Sequence, residues 1–148
     1  MAEKVDRRVR KTKAQLRAGL ARLMQKKSIR EITVKELVEE VDINRSTFYL
    51  HYTDIYQMLE SIEAELMDEV SHLVDYPLDP LNNKESSYPF IEQIFTILDN
   101  NKDICIALLG KNGDMAFVSR IEKLIADTVL HRLSIRLPKD NRDIEYAY

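Results

Sequence analysis

The chain has 148 residues, of which 45% are hydrophobic, and it carries a net charge of −3 with only three glycines and four prolines. This composition excludes a disordered chain and favours an all-α protein, because residues that break helices are few. No hydrophobic run approaches the ~20 residues of a transmembrane helix, and the basic start is not a signal peptide, so we expect no membrane association. The single cysteine, Cys105, cannot form an internal disulfide, which fits a cytoplasmic protein.

The charge is distributed unevenly along the chain. Residues 1–56 contain 13 Lys and Arg against 8 Asp and Glu, whereas residues 57–148 contain 9 against 17. The basic residues are densest in the segment KVDRRVRKTK near the start. Basic clusters attract polyanions through counterion release, so this half is a candidate nucleic-acid surface, although a solvated helix end would carry the same charges.

Three helices are predicted in the first third of the chain. The first spans residues 8–27, and its hydrophobic face, with spacings of three and four, consists of Leu16, Leu20, Leu23 and Met24. The second is short and starts after Thr33, because TVKE is a capping box in which Glu36 reaches back to the cap. The third follows a turn at Asp42, and Asn44 is a favourable N-cap for it.

The third predicted helix has two faces with different chemistry. Phe48 and Tyr52 lie four residues apart and can pack beneath the first two helices. Arg45 and Tyr49 are also four apart and lie together elsewhere, with Ser46 near them. The aromatic face therefore docks the helix, and the polar face is left pointing outward.

A fourth helix is predicted to start at Asp54, which forms a cap with Gln57. Its hydrophobic stripe consists of Leu59, Ile62, Leu66, Val70 and Leu73. This stripe is too long for a small three-helix module. We therefore expect the helix to leave an N-terminal domain of residues 1–53 and to enter a second domain of residues 54–148.

Three more helices are predicted beyond a loop at residues 75–89, which is rich in proline, asparagine and serine. The fifth helix carries Phe90, Ile91, Ile94, Phe95 and Leu98, and ICIALL forms a short, buried sixth. Gly110 and Gly113 frame a turn, after which Asp114 can cap the seventh helix. The inner face of the seventh is predicted to comprise Phe117, Ile121, Leu124, Ile125, Thr128 and Leu133. The final segment, RDIEYAY, is predicted to begin another helix.

The second helix, the four-residue turn and the third helix have the dimensions of a helix-turn-helix. In that motif the first helix sets its N-terminal amides against a phosphate, and the second enters the major groove. Thr33 and Val34 meet the first requirement. The short polar side chains required near the start of the second helix are Arg45, Ser46 and Thr47.

Two further side chains of this motif can reach the DNA backbone. Tyr49 and His51 can each hydrogen-bond to a phosphate, which positions the helix without reading sequence. Either residue could instead be an ordinary residue at the edge of the core. Arg45 is the best candidate for a base contact, because its guanidinium matches the two acceptors of guanine.

The segment ITVKELVEEVDINRSTFYLHYTDIYQML, residues 32–59, resembles the DNA-binding motif of the TetR/AcrR family of transcriptional regulators. The family pattern has a T-V-x-x-L-A start, a small turn, S/T-x-x-T-F/L-Y-x-H-F and a capped fourth helix. The matching positions are Thr33, Leu37, Ile43, Thr47, Phe48, Tyr49, His51, Tyr52 and Asp54. The remainder, with LLGKNGDMAFVSRIEKLI at 108–125, is similar to one of the C-terminal domain types of the family.

The resemblance implies a homodimeric repressor that binds a palindromic DNA operator and whose second domain binds a small-molecule effector. Effector binding would alter the spacing of the two DNA-binding domains in the dimer. The resemblance implies phosphate contacts by Thr33, Val34, Tyr49, His51, Arg8 and Lys11, and base contacts by Arg45, Ser46 and Thr47. The RRVRK segment, residues 7–11, would lie near the minor groove or the backbone.

The chain departs from the family pattern at three places. Asp42 stands where glycine is common in the turn, and aspartate tolerates left-handed backbone well. A lysine that is usual near the start of the fourth helix is absent, since Thr53 and Ile55 stand there, and this should weaken DNA binding at high salt. Members usually continue with two long helices that form the dimer interface. This chain stops at Tyr148, so it is either a naturally short protein or, as we expect, a truncated form.

The hydrophobic side chains of the second domain are candidates for an effector pocket. The candidates are Met58, Ile62, Phe90, Ile94, Phe95, Leu98, Phe117 and Ile121. The same side chains could simply form a core, because pockets in helical bundles are lined by the same residue types. Cys105 is interpreted as a small buried hydrophobic residue.

The sequence contains no nucleophile–base pair, no glycine-rich phosphate loop and no metal-ligand spacing, so we expect a protein that is not an enzyme and holds no cofactor or metal. An alternative function is a co-regulator or protein-interaction module that acts through a partner protein, with weak or no DNA binding. The missing lysine and the acidic second half are compatible with that alternative.

Overall fold

The computed structural model describes residues 2–73 and 88–136. The helices in these ranges are α1 (Ala2–Lys26), α2 (Val34–Glu40), α3 (Arg45–Tyr49), α4 (Ile55–Ser71), α5 (Tyr88–Asn100), α6 (Lys102–Leu109) and α7 (Met115–Arg136), with one 3-10 turn at Ile29–Glu31. The predicted all-α class is therefore confirmed. None of the described helices is long and apolar enough to cross a membrane. The predicted final helix in RDIEYAY lies outside the described residues.

Helix α1 begins six residues before its predicted start. Its first turns are rich in Lys, Arg, Glu and Ala, which favour helix, and an ion pair between Arg10 and Asp6 at 3.4 Å supports this segment. The helical spacing of hydrophobic residues begins only at Leu16, so it could not indicate that the preceding turns are also helical. The last two residues of the predicted loop, Tyr88 and Pro89, likewise belong to α5, where proline is tolerated in the first turn.

The short elements from α2 to α4 form where local hydrogen bonding predicts them. The amide of Glu36 donates to Thr33 Oγ1 (3.2 Å), and Glu36 Oε2 accepts from the amide of Thr33 (3.3 Å). Asp42 has φ of 54°, the left-handed conformation expected in the turn. Asn44 precedes α3, but its side chain makes no capping hydrogen bond. Asp54 caps α4 by accepting from the amide of Gln57 at 2.8 Å.

Helices α1 and α2 approach closely at Gly19. A Cβ at this position would lie 2.4 Å from Val41 Cγ1 and 3.1 Å from Leu37 Cδ1, so any larger residue would force these side chains to shift. Beside it, Arg22 Nε donates to Glu40 Oε1 at 2.8 Å, and this bond lowers the pKa of the Glu40 carboxyl. The helix-turn-helix is therefore held to α1 by tight packing as well as by charge.

A single hydrophobic core runs through the molecule from α1 to α7. It includes the predicted face of α1, the aromatic face of α3, and Leu59, Ile62 and Leu66 of the α4 stripe. Helix α6 packs against α1 as well as against α7. The division into residues 1–53 and 54–148 stays a prediction, since the core continues across residue 53.

The last three helices are less buried than their sequence suggests. In α5, Ile91 and Phe95 are exposed, and in α6 only the face with Ile104, Ala107 and Leu108 is buried, while Ile106 and Leu109 face outward. The sixth helix, which was predicted to be buried, is therefore buried on one face only, although ICIALL is apolar on every side. In α7, Phe117 and Thr128 are buried as predicted, and the Leu133 side chain lies outside the described set.

Candidate nucleic-acid interface and effector cavity

Phe48 fastens the short helix α3 to the rest of the molecule. Its side chain is fully buried, and its ring lies 5.7 Å from the ring of Tyr52, which is also buried. The ring of Tyr49 contacts it edge-on at 5.4 Å. A helix of five residues has little stability of its own, so this aromatic contact sets the orientation of the outward face.

The outward face of α3 presents polar side chains to solvent. Arg45 and Ser46 are exposed, Thr47 is half-buried, and 48% of Tyr49 is accessible. Arg45 Nη2 donates to the hydroxyl of Tyr49 at 3.5 Å, and the guanidinium carbon lies 5.9 Å from the centre of the tyrosine ring. Arg45 and Tyr49 therefore lie side by side on the outward face of α3.

The candidate phosphate contacts near α2 and α3 differ in what they can offer. Thr33 is exposed, but its hydroxyl already accepts from the amide of Glu36. The side chain of Val34 is buried, so only its backbone amide, which has no partner within the helix, can face a phosphate. His51 is half-buried, with its ring 6.3 Å from that of Tyr52.

The basic start of the chain is a helix rather than an extended arm. Arg8 and Lys11 are exposed on the first turns of α1. An α-helix is about 10–12 Å wide with its side chains, whereas the minor groove of B-DNA is about 6 Å wide. The helix itself is therefore too wide to enter the minor groove, and side-chain contacts of residues 7–11 near the minor groove or with the phosphate backbone stay a prediction.

The sequence reasoning missed Leu50 as a candidate contact. It follows α3 directly and is 79% exposed, beside the polar face. An exposed apolar side chain at this position can contact the methyl group of thymine in the major groove. Its position on the side opposite Phe48 was the signal available in the sequence.

A cavity of about 260 Å³ lies between α4, α5, α6 and α7. Its lining includes Leu66, Val70, Leu73, Ile94, Ile97, Leu98, Cys105, Leu108, Leu109, Phe117, Val118, Ile121, Glu122 and Ile125. Four of these residues, Ile94, Leu98, Phe117 and Ile121, were predicted. The structure places the other four candidates elsewhere. Met58 and Ile62 are in the core, Phe90 lies 4.4 Å from the guanidinium of Arg132, and Phe95 is exposed.

The cavity wall is almost entirely hydrocarbon. Among the residues that line it, only Cys105 and Glu122 carry polar side-chain atoms. Burial raises the pKa of the Cys105 thiol, so it stays protonated and behaves as an apolar group. Within residues 2–73 and 88–136, no three His, Cys, Asp or Glu side chains are grouped so that they could hold a metal ion.

These features define a helix-turn-helix protein. A capped helix, a left-handed turn and an outward polar helix form the motif, and α4 joins it to a helical bundle with a cavity. Residues 16–62 match the family profile of bacterial regulatory proteins, tetR family, and residues 85–148 match the TetR-type profile of a transcriptional regulator C-terminal region. The chain belongs to the TetR family of bacterial regulators, whose function is DNA-binding control of transcription.

The comparison with solved structures finds a protein described as a transcriptional regulator of the TetR family from Vibrio parahaemolyticus. The two share 12% identity with a TM-score of 0.45, over 80% of this chain and 64% of that one. This chain thus spans less than two thirds of the length of that structure. A comparison with curated proteins finds no match.

Proposed function

We propose that this chain is a cytoplasmic, ligand-responsive repressor that acts as a homodimer on a palindromic DNA operator. The observation that carries the proposal is the exposed set Arg45, Ser46 and Tyr49, held outward by the fully buried Phe48. The exposed basic turns of α1, with Arg8 and Lys11, add phosphate contacts that strengthen binding to any duplex. The amides at the start of α2 and the ring of His51 complete the proposed backbone contacts.

Two DNA-binding domains are needed because one copy of α3 is too short to recognise a site alone. A helix of five residues contacts only a few base pairs. When two DNA-binding domains are linked, binding of the first to one half-site raises the effective concentration of the second at the other half-site. The half-sites would then lie about 34–36 Å apart, one turn of the double helix.

The proposed ligand response acts through α4. This helix lines the cavity with Leu66 and Val70, and it shares the core with Phe48 through Ile55 and Met58. An uncharged apolar ligand that separates α4 from α7 would tilt α4. Phe48, which anchors α3, would move with α4. The separation of the two DNA-binding domains would then no longer match the DNA.

Substitution of Arg45 by alanine is expected to reduce base preference rather than general affinity. A preferred duplex is first selected with the wild-type protein from a randomised double-stranded library, and affinities are then measured for that duplex and for a scrambled one. The ratio of the two affinities should fall by about 10-fold or more for Arg45→Ala, since a bidentate contact to guanine is lost. Tyr49→Phe should instead lower both affinities by the same factor.

Gel shifts by both variants that equal those of the wild type would reject α3 as the reading helix. A wild-type protein that shifts no duplex and co-purifies with a partner protein would favour the interaction module over the repressor.

The cavity is expected to bind an uncharged apolar molecule. With the fluorescent probe N-phenyl-1-naphthylamine, the wild-type protein should give a saturable increase in emission, because the probe enters a hydrocarbon environment. Ile121→Trp fills the cavity and should weaken probe binding about 10-fold. Leu130→Trp is the matched control, since Leu130 is exposed on the same helix and is not among the cavity residues. Equal probe binding by both variants would contradict this location of the ligand site.

A further inference from the structure

A groove of about 590 Å³ lies between α4 and the start of α7, next to the apolar cavity. Its charged residues are Glu60 and Glu63 from α4, with Asp114 and Arg120 from the α7 side. Glu63 differs from the other three because only 7% of it is exposed. Phe117 lines both this groove and the apolar cavity, so the two share a wall.

The contacts of Glu63 are incomplete for a carboxylate. Arg120 Nη2 lies 3.4 Å from Glu63 Oε2, whereas Glu63 Oε1 is buried and has no hydrogen-bond donor. The side chain of Asp114 lies within hydrogen-bonding distance of the Glu63 carboxyl. Two carboxyl groups can form a hydrogen bond only when one of them carries a proton.

The position of Asp114 indicates which of the two groups carries that proton. Asp114 caps α7, and its Oδ1 accepts from the amides of Ala116 (2.9 Å) and Phe117 (3.3 Å). A capping carboxylate that accepts two amides is suited to the acceptor role, so Glu63 is the donor.

The surroundings of Glu63 favour its neutral form. Burial raises the pKa of Glu63 to about 7, with smaller contributions in the same direction from Asp114 and Glu60, while Arg120 acts against them. These are the charged groups that line the groove with Glu63, from α4 and from the α7 side.

We propose that Glu63 and Asp114 form a proton-dependent contact that holds the start of α7 against α4. With its proton, Glu63 donates to the Asp114 carboxylate, and its buried carboxyl, which lacks a donor at Oε1, carries no negative charge. Loss of that proton to water leaves two facing carboxylates, which repel each other, and the start of α7 moves away from α4. Because Phe117 follows the Asp114 cap, this movement would also shift a wall of the cavity. The link to ligand binding rests on the proposed function, whereas the contact itself does not.

The contact predicts how stability changes with pH. Between pH 4.5, the ordinary pKa of glutamate, and about 7, the folded protein keeps a proton on Glu63 that the unfolded chain has lost. Stability relative to a variant with no titrating group at this position should therefore fall as the pH rises through this window, and should change no further above it.

The test compares melting temperatures of the full chain at pH 5 and pH 8 for the wild type and for Glu63→Gln, whose amide can donate to Asp114 at both values. The melting temperature of the variant relative to that of the wild type should rise by on the order of 4 °C from pH 5 to pH 8. Asp114→Asn keeps a capping oxygen and should reduce this pH dependence. Glu92→Gln, on the exposed face of α5, is the control and should follow the wild type.

A second measurement uses the wild-type protein alone, so it holds even if a variant does not fold. Carbon-13 NMR of the glutamate carboxyl carbons should show one resonance that titrates near pH 7, assigned to Glu63 by through-bond experiments on the wild type. Titration of Glu63 near pH 4.5, or parallel melting curves of wild type and Glu63→Gln, would overturn the proposal. Neither readout involves DNA, so failure of the repressor hypothesis would be seen separately.

Discussion

Replacement of Phe48 by alanine is expected to destabilise the protein by about 3–5 kcal/mol, because it removes a large, fully buried ring from the core. The same change removes the support of α3, so specific DNA binding should be lost even under conditions in which the protein remains folded. Urea denaturation followed by circular dichroism measures the first effect, and gel shift of the selected duplex measures the second.

Leu50→Ala is the matched control for stability. Leu50 is two residues away and 79% exposed, so its truncation should change the free energy of unfolding by about 0.5 kcal/mol or less. A loss below about 1 kcal/mol for Phe48→Ala would show that Phe48 does not anchor the reading helix.

Gly113→Ala is expected to have the largest effect of the three possible glycine-to-alanine substitutions in this chain. A Cβ on Gly113 would lie 1.7 Å from the backbone oxygen of Leu108 and 2.4 Å from its carbonyl carbon. Both atoms belong to the last turn of α6, so they cannot move aside as a flexible side chain could. The turn between α6 and α7 must therefore rearrange, and we expect a destabilisation of about 2 kcal/mol or more.

Gly110→Ala provides the control in the same turn. Its Cβ would lie 3.2 Å from the backbone oxygen of Ile106, which requires only a small adjustment. Its effect on the midpoint of chemical denaturation should be much smaller than that of Gly113→Ala. Equal midpoints for the two variants would show that Gly113 does not pack tightly against the backbone of Leu108.

The connection between α1 and the cavity helices bears on the proposed ligand response. Arg17 of α1 donates to Asn101 Oδ1 at 2.5 Å and pairs with Glu65 of α4 at 3.4 Å. Asn101, which is buried between α5 and α6, donates in turn to Glu69 at 3.0 Å. Helix α1 of the DNA-binding domain is therefore hydrogen-bonded to both α4 and the α5–α6 corner. We expect a ligand to move this domain together with these helices.

Elements with a local cause could be predicted from the order of residues. The capping box at Thr33 and Glu36, the cap at Asp54 and the left-handed turn at Asp42 all formed as expected. The interactions that produce them join residues no more than four positions apart. The two faces of α3 could be assigned for the same reason, since helical spacing separates Phe48 from Arg45 and Tyr49.

The packing of the helices determines which hydrophobic faces are covered and which polar groups meet, and the sequence did not reveal either. The apolar pattern of α5 does not reveal that Ile94 lines a cavity while Phe95 faces outward, because helical periodicity identifies a face but not the element that packs against it. Glu63 reads in sequence as an ordinary surface carboxylate. Its burial and its contacts arise from Asp114 and Arg120, which lie more than 50 residues away and reach it only when α7 packs on α4.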